Sequence, residues 1–238
     1  MWIGKSTAFA FANHGIRAIF LVDLNTSLLE QTRDELRKEF PEIEVEILHA
    51  NVADEQSVES AIQKTVERFG SIEIGINCAG ISGNPTPTAD MSLAEWQKVI
   101  DVNQTGVWLC QRALIQQMLK QESRGTREGR GVIVNVSSMF GVGGPPGPFS
   151  IPHYTAAKHG EFSIDLFFEI SYRLMVYVAV VGLTKMIESG SMNLAFEMTP
   201  VGRPAQVEEV SDALLFLSSP MSSYMCGAAL VVDGGYTV

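Results

Sequence analysis

A chain of 238 residues, 46% hydrophobic and 18% charged, is long and apolar enough for one α/β domain with a sizeable core, which excludes a disordered chain. Its formal net charge of -10 argues against nucleic acid or an anionic membrane surface as a general partner and leaves a small neutral ligand open. Cys78, Cys110 and Cys226 lack metal-ligand spacing and no uncharged apolar run is long enough to span a bilayer, so the expectation is a cytoplasmic protein with reduced thiols, no metal and no membrane anchor.

In chain order, Gly4 to His14 reads as a helix with Ala8, Phe9, Phe11 and Ala12 apolar and Gly15 as its stop. Ala18 to Val22 is a strand ending at Asp23. Thr26 to Phe40 is an amphipathic helix, with Leu28, Leu29, Leu36 and Phe40 as expected buried positions and Pro41 ending it. Glu44 to His49 is a short strand leading to Asn51 and Val52, and Glu55 to Phe69 a helix stopped by Gly70. Ile72 to Ile76 is a strand running into Asn77-Cys78-Ala79-Gly80, where small residues permit close approach of a ligand. Cys78 reads as packing rather than chemistry.

Ser92 caps a long helix that begins near Leu93, passes through Asp101-Val102-Asn103 and reaches about Gln121. The polar loop that follows carries Arg124, Arg127 and Arg130, which read as solvation. Gly131 to Val136 is an apolar run ending in Ser137 and Ser138, a buried parallel strand that delivers hydroxyls at its C-terminal end. Ligands in open α/β sheets bind outside those ends. Strand alternation points Ser137 away from Ser138, so Ser137 is assigned to structure.

A stiff Gly/Pro loop, Gly143 to Pro148, leads to Pro152-His153-Tyr154-Thr155-Ala156-Ala157-Lys158-His159-Gly160. In a helix, Tyr154 and Lys158 lie on one face, one turn apart. A phenol, with a reference pKa of about 10, is a poor acid or base near neutral pH. A neighbouring ammonium favours its ionised form, so the two residues make a coherent proton-transfer pair. Glu161 to Ile170 can continue that helix, and Arg173 to Val181 reads as a buried strand. The alternative places Val181 to Lys185 in the helix after Lys158, displaced by an insertion and with that strand deleted. Pro204 to Ser218 is a helix with Val207, Val210, Ala213, Leu214 and Leu217 as an apolar stripe, and Leu230 to Val232 is the last strand before Asp233-Gly234-Gly235.

Ser-Ser at a strand end, a loop and Tyr-x-x-x-Lys resemble the short-chain dehydrogenase/reductase family. Asn77-Cys78-Ala79-Gly80, Asp101-Val102-Asn103, Val201-Gly202-Arg203-Pro204 and Val232-Asp233-Gly234-Gly235 add to the resemblance and spread it over most of the chain. The resemblance implies a single Rossmann-like domain over residues 1–238, a doubly wound, mostly parallel sheet with helices on both faces, and a substrate loop near 184–203. Met192, Phe196 and Met198 in that loop suit an apolar substrate, or an ordinary helix face. The implied activity is hydride transfer between a nicotinamide and a secondary alcohol or ketone, with a tailoring step in a biosynthetic pathway as one setting.

The implied catalytic set is Ser138, Tyr154, Lys158 and Asn103, the last distorting its helix and holding a relay water. The implied cofactor set is Ile3, Gly4, Asp23, Asn51, Val52, Asn77, Ala79, Gly80, Tyr154, Lys158 and Thr184. A carboxylate at Asp23 accepts from ribose hydroxyls and repels a 2′-phosphate, favouring NAD; Lys5 and Arg17 leave room for NADP. A homodimer or homotetramer is the implied assembly. The family opens with a central strand and a glycine-rich loop, of which only Ile3-Gly4 matches the tail. The expectation is that about 10 residues or more precede Met1 in a complete product, their absence exposing two strand edges mid-sheet; the alternative is that another segment of the chain fills the gap. The competing readings are a catalytically impaired cofactor-binding or regulatory relative and a defective truncated product.

Overall fold

A computed structural model describes residues 2–145, 150–166, 175–181 and 199–237. Alternating patterns give alternating elements: α1 (Trp2–Asn13), β1 (Ala18–Asp23), α2 (Thr26–Glu39), β2 (Glu44–His49), α3 (Glu55–Phe69), β3 (Ile74–Asn77), α4 (Leu93–Ile100) and α5 (Gly106–Met118). There follow β4 (Val132–Val136), α6 (Pro152–Leu166), β5 (Met175–Val181), α7 (Val207–Ser218) and β6 (Ala228–Val232). The fold is Rossmann-like, with parallel strands flanked by helices.

The strands form two sheets, β2-β1 and β3-β4-β5-β6, rather than one. Among the described residues β1 pairs only with β2 and β3 only with β4, so each presents one unpaired edge where the resemblance places a central strand. Helices join the two sheets instead. Ala8 and Ala12 of α1 are buried against Leu36, Ile43 and Val45 in the small sheet's core. Ile3 of the same helix packs with Val134, Leu214 and Leu217 in the large sheet's core, and the Ser211 hydroxyl donates to Ser6 Oγ at 2.7 Å. On the other face, Phe20 of β1 meets Phe69 of α3 edge-on with ring centroids 6.1 Å apart.

Met175–Val181 lies between β4 and β6 in parallel register, Val136 opposite Ala179 and Val181 opposite Val232. This is the strand reading of that segment, not its deletion. Gly182 to Thr184 and most of the expected substrate loop lie outside the described residues. One expected core position is corrected: Leu28 is 41% exposed, while Leu29, Thr32 and Leu36 bury the inner face of α2. The helix turns Leu28 outward because its apolar stripe follows the 3.6-residue period through Leu29 and Leu36.

The long helix after Ser92 is interrupted. Ser92 and Glu95 form a reciprocal capping box that starts α4. Between α4 and α5, residues Asp101–Thr105 widen into a π-helical turn, and α5 ends at Met118, short of Gln121.

Candidate active site

β4 is buried along its whole length and is followed by the buried Ser137 and Ser138. Ser138 caps the short turn Met139–Gly141, its Oγ accepting from Phe140 N–H at 3.2 Å. That turn packs on α6: the Phe140 and Tyr154 rings meet edge-on at 6.5 Å, in a cluster with Val99, Met139, Ile151 and Ala157. Ser138 and Tyr154 therefore belong to one packed unit. The Ser137 hydroxyl donates to Lys158 O at 3.4 Å, the structural use alternation assigns it. Gly141 makes the close approach possible. A Cβ there would stand 2.7 Å from Lys158 O, a backbone atom that cannot swing aside.

Lys158 is fully enclosed. Its Nζ donates to Val136 O at 2.9 Å and to Glu161 Oε2 at 2.6 Å. Burial works against the ammonium's charge, but Glu161, with help from Tyr154, more than offsets it and the Lys158 pKa is raised. Burial raises Glu161 as well, against the pull of Lys158. The thiol of Cys78, pushed up to about 12 by burial, stays protonated, which fits packing rather than chemistry.

Asn103 sits in the π-turn with no exposed surface. Its Nδ2 donates to Ile81 O at 2.7 Å and its Oδ1 accepts from Ile81 N–H at 2.8 Å. The distortion thus clamps the loop after β3 onto the α4–α5 helix. A Cβ on Gly80 would lie 3.4 Å from Asn103 Oδ1 and 3.9 Å from Lys158 Nζ, so Gly80, Asn103 and Lys158 converge. Ala79 and Gly80 are exposed, leaving backbone open beside the buried ammonium.

The other expected cofactor residues are placed as follows. Asp23 ends β1 and its Oδ1 accepts from Asn25 N–H at 2.9 Å, while Asn25 caps α2. Asn51 Oδ1 accepts from Ala53 N–H at 3.1 Å in a turn, and Val52 packs where Gly106 has no side chain. Asn77 Nδ2 donates to Asn135 Oδ1 at 2.7 Å. Ile3 and Gly4 lie in the first turn of α1, Ile3 packed against the large sheet's core and Gly4 against Cys78. Thr184 lies outside the described residues.

Two features escaped the sequence reading. Glu161 partners Lys158, and the spacing Lys158 to Glu161, one turn on the same helix face, was the available signal. Asn135, mid-strand among valines, donates to Gln111 Oε1 at 2.6 Å and tethers β4 to α5; a lone amide in an apolar strand was the signal there. Arg127 donates to Pro220 O at 2.5 Å and Arg130 to Gln121 O at 3.1 Å, so both bond their own chain.

The model of the short chain dehydrogenase family matches residues 2–188, and that of the enoyl-(acyl carrier protein) reductase family matches residues 179–237. The chain is 32% identical over 265 residues to the short-chain dehydrogenase fogB of Aspergillus ruber, covering 99% of this chain and 93% of that one. It superposes on the crystal structure of levodione reductase with a TM-score of 0.89 at 28% identity, covering 99% and 93% of the two chains. It superposes on an NAD+-bound xylitol dehydrogenase with a TM-score of 0.87 at 25% identity, covering 99% and 95%. The chain belongs to the short-chain dehydrogenase/reductase family. It is an enzyme of that family, an oxidoreductase acting on alcohol or ketone groups with NAD or NADP.

Among the described residues no group of His, Cys, Asp and Glu could hold a metal, and no helix is long and apolar enough to cross a membrane.

Proposed function

We infer that the chain interconverts a small secondary alcohol and its ketone, with NAD as the favoured dinucleotide. The observation that carries this is at the C-terminal end of β4, where Ser138 caps the turn whose Phe140 packs on Tyr154 of α6, and Lys158 of the same helix donates to Val136 O of β4. The names of two structural neighbours, levodione reductase and xylitol dehydrogenase, support the substrate class. Asp23 at the end of β1 and the NAD+-bound neighbour support NAD. A tailoring step in a biosynthetic pathway remains part of this reading, as does a reducing cytoplasmic setting, which suits the free, half-buried thiols of Cys78 and Cys110.

The residues fit the nicotinamide-ribose end of a dinucleotide. An ammonium has three donors, and Lys158 uses two inside the protein, leaving one for a ribose hydroxyl beside exposed Gly80. At the pyrophosphate end, Ile3 and Gly4 stand in the first turn of α1, where backbone N–H groups without helical partners would face the phosphates. When bound, the nicotinamide supplies or accepts the hydride. Tyr154 exchanges the proton with the substrate oxygen, Ser138 hydrogen-bonds that oxygen as its charge develops, and Lys158 favours the ionised phenol. Asn103 fixes the loop that borders Lys158.

A second reading, a cofactor-binding relative without turnover, draws on the split between the two sheets among the described residues. One experiment separates them. NADH is titrated by fluorescence, and turnover is followed on a panel of secondary alcohols and ketones. Saturable binding with turnover is expected; saturable binding without turnover on any member favours the second reading.

A further inference from the structure

The end of the chain reaches back to the turn that carries Ser138. β6 ends at Val232, and β5 separates it from β4 in the sheet, a span of about 10 Å between backbones. Two glycines turn the chain back across that span. Gly234 and Gly235 have φ of +66° and +85°, and a Cβ at Gly235 would stand 2.7 Å from Pro200 Cγ. Asp233 locks the turn. Its Oδ1 accepts from Gly235 N–H at 2.9 Å, and its Oδ2 accepts from Thr237 N–H at 3.0 Å and from the Thr237 hydroxyl at 2.7 Å. Val201 N–H donates to Gly234 O at 3.2 Å, so the described end of the expected substrate loop rests on the same turn.

That turn presents Tyr236. Its ring meets Phe140 edge-on at 6.1 Å, and Phe140 meets Tyr154 edge-on at 6.5 Å, so three rings run in series from the chain end to the Tyr154 phenol. Phe140 has no exposed surface and lies on the turn that Ser138 caps, so its position bears on both hydroxyls of the proposed reaction. The Tyr236 hydroxyl donates to Gly144 O over a long 3.4 Å, and burial raises its pKa, which keeps the phenol neutral. The ring rather than the hydroxyl is therefore the part that bears load.

We propose that Tyr236 is a positioning residue for the reaction: the C-terminal turn seats its ring on Phe140, and Phe140 holds Ser138 and Tyr154 at the spacing that one substrate oxygen requires. The assignment rests on the proton-transfer reading above. Tyr236 touches neither substrate nor cofactor in this scheme. A reacting pair is sensitive to small displacements, and a shift of about 1 Å costs on the order of a hundredfold in rate even when its cause lies away from the chemistry.

Variants of the whole chain test this on a secondary alcohol that the native enzyme oxidises, with NADH affinity followed by fluorescence. Y236L removes the ring, so kcat should fall about ten- to a hundredfold while KM for the alcohol and Kd for NADH stay within about twofold. Y236F keeps the ring and should recover the native kcat. D233A frees the turn without touching the ring and should also lower kcat. The double variant Y236L/D233A should lose no more than the slower single one, because both changes release one strut. D233A serves alone if Y236L does not fold. A folded Y236L or D233A with native kcat overturns the proposal. So does a fall in kcat matched by weaker NADH binding, which is general loosening, or a Y236F as slow as Y236L, which gives the role to the hydroxyl. Turnover by the native protein separates the two possible failures. A native protein that oxidises no secondary alcohol sinks the proton-transfer reading and this proposal with it, whereas native turnover with unaffected variants sinks the proposal alone.

Discussion

The half of the molecule that carries the candidate catalytic residues and the half that would hold the adenosine are built differently. In the first, β4 is buried at every position, paired on both sides, and locked to α6 through Gly141, Phe140 and Lys158. In the second, β1 is partly exposed, paired on one side only among the described residues, and joined to the rest through α1 and α3. Close packing sets the position of a reacting group to a fraction of an ångström, whereas a strand held from one edge tolerates change. Substitutions in the two halves should therefore fail in different ways.

The largest structural effect is expected at Gly141. Gly141→Ala drives a Cβ to 2.7 Å from Lys158 O, so α6 must shift. Stability should fall by about 1–3 kcal/mol, and turnover should be lost well before nucleotide binding. Denaturant melts with a fluorescence titration of NADH check both. A comparable clash tolerated with full activity would show that the packing of α6 on Met139–Gly141 is looser than described.

Asn103→Leu should come next. It removes both bonds to the Ile81 backbone and leaves that amide and carbonyl without partners, at about 1–3 kcal/mol. Hydrogen exchange at Ile81 should accelerate while β1 stays unchanged; uniform loosening of both halves would contradict the local role.

The buried pair gives a pH signature. Lys158 is raised above its ordinary 10.5, so its contribution to stability is full below that value and lost as pH rises through the folded one. Glu161 is raised above its ordinary 4.5, so its contribution too is full below that value and lost as pH rises through the folded one. The melting temperature of the native protein, measured relative to a Lys158→Met/Glu161→Met double variant, should decline as pH increases. A difference that grows with pH would mean the pair is not buried as described.

The smallest effect is expected at the looser half. Asp23→Ala loses one exposed turn bond, worth about 0.5–1 kcal/mol, and removes a charge that repels a 2′-phosphate. Paired titrations should show the preference for NAD over NADP narrowing severalfold. An unchanged ratio would remove Asp23 from the cofactor site.

The same contrast explains what could be read from residues alone. Tyr154-x-x-x-Lys158, the paired serines after an apolar run and the capping box at Ser92 are local patterns, and each was legible because one turn or one strand fixes its geometry. The strand Met175–Val181 was legible too, from an unbroken run of apolar residues. Helix α1 was legible as a helix but not as the bridge between two sheets, because Ser6–Ser211 and Ile3–Leu214 join residues two hundred positions apart. Leu28 was misplaced because period and hydrophobicity disagree at the start of α2, and period won. The pairing of Lys158 with Glu161 was visible as spacing, yet only burial on all sides turns that spacing into an ion pair that matters.

One comparison tests the centre of this account. Tyr154→Phe keeps the ring that packs on Phe140 and removes only the hydroxyl, so the fold and NADH affinity should match the native protein. Oxidation of any secondary alcohol that the native enzyme turns over should drop by about a thousandfold or more. A Tyr154→Phe protein that binds NADH normally and keeps its rate would contradict the assignment of the proton to this phenol.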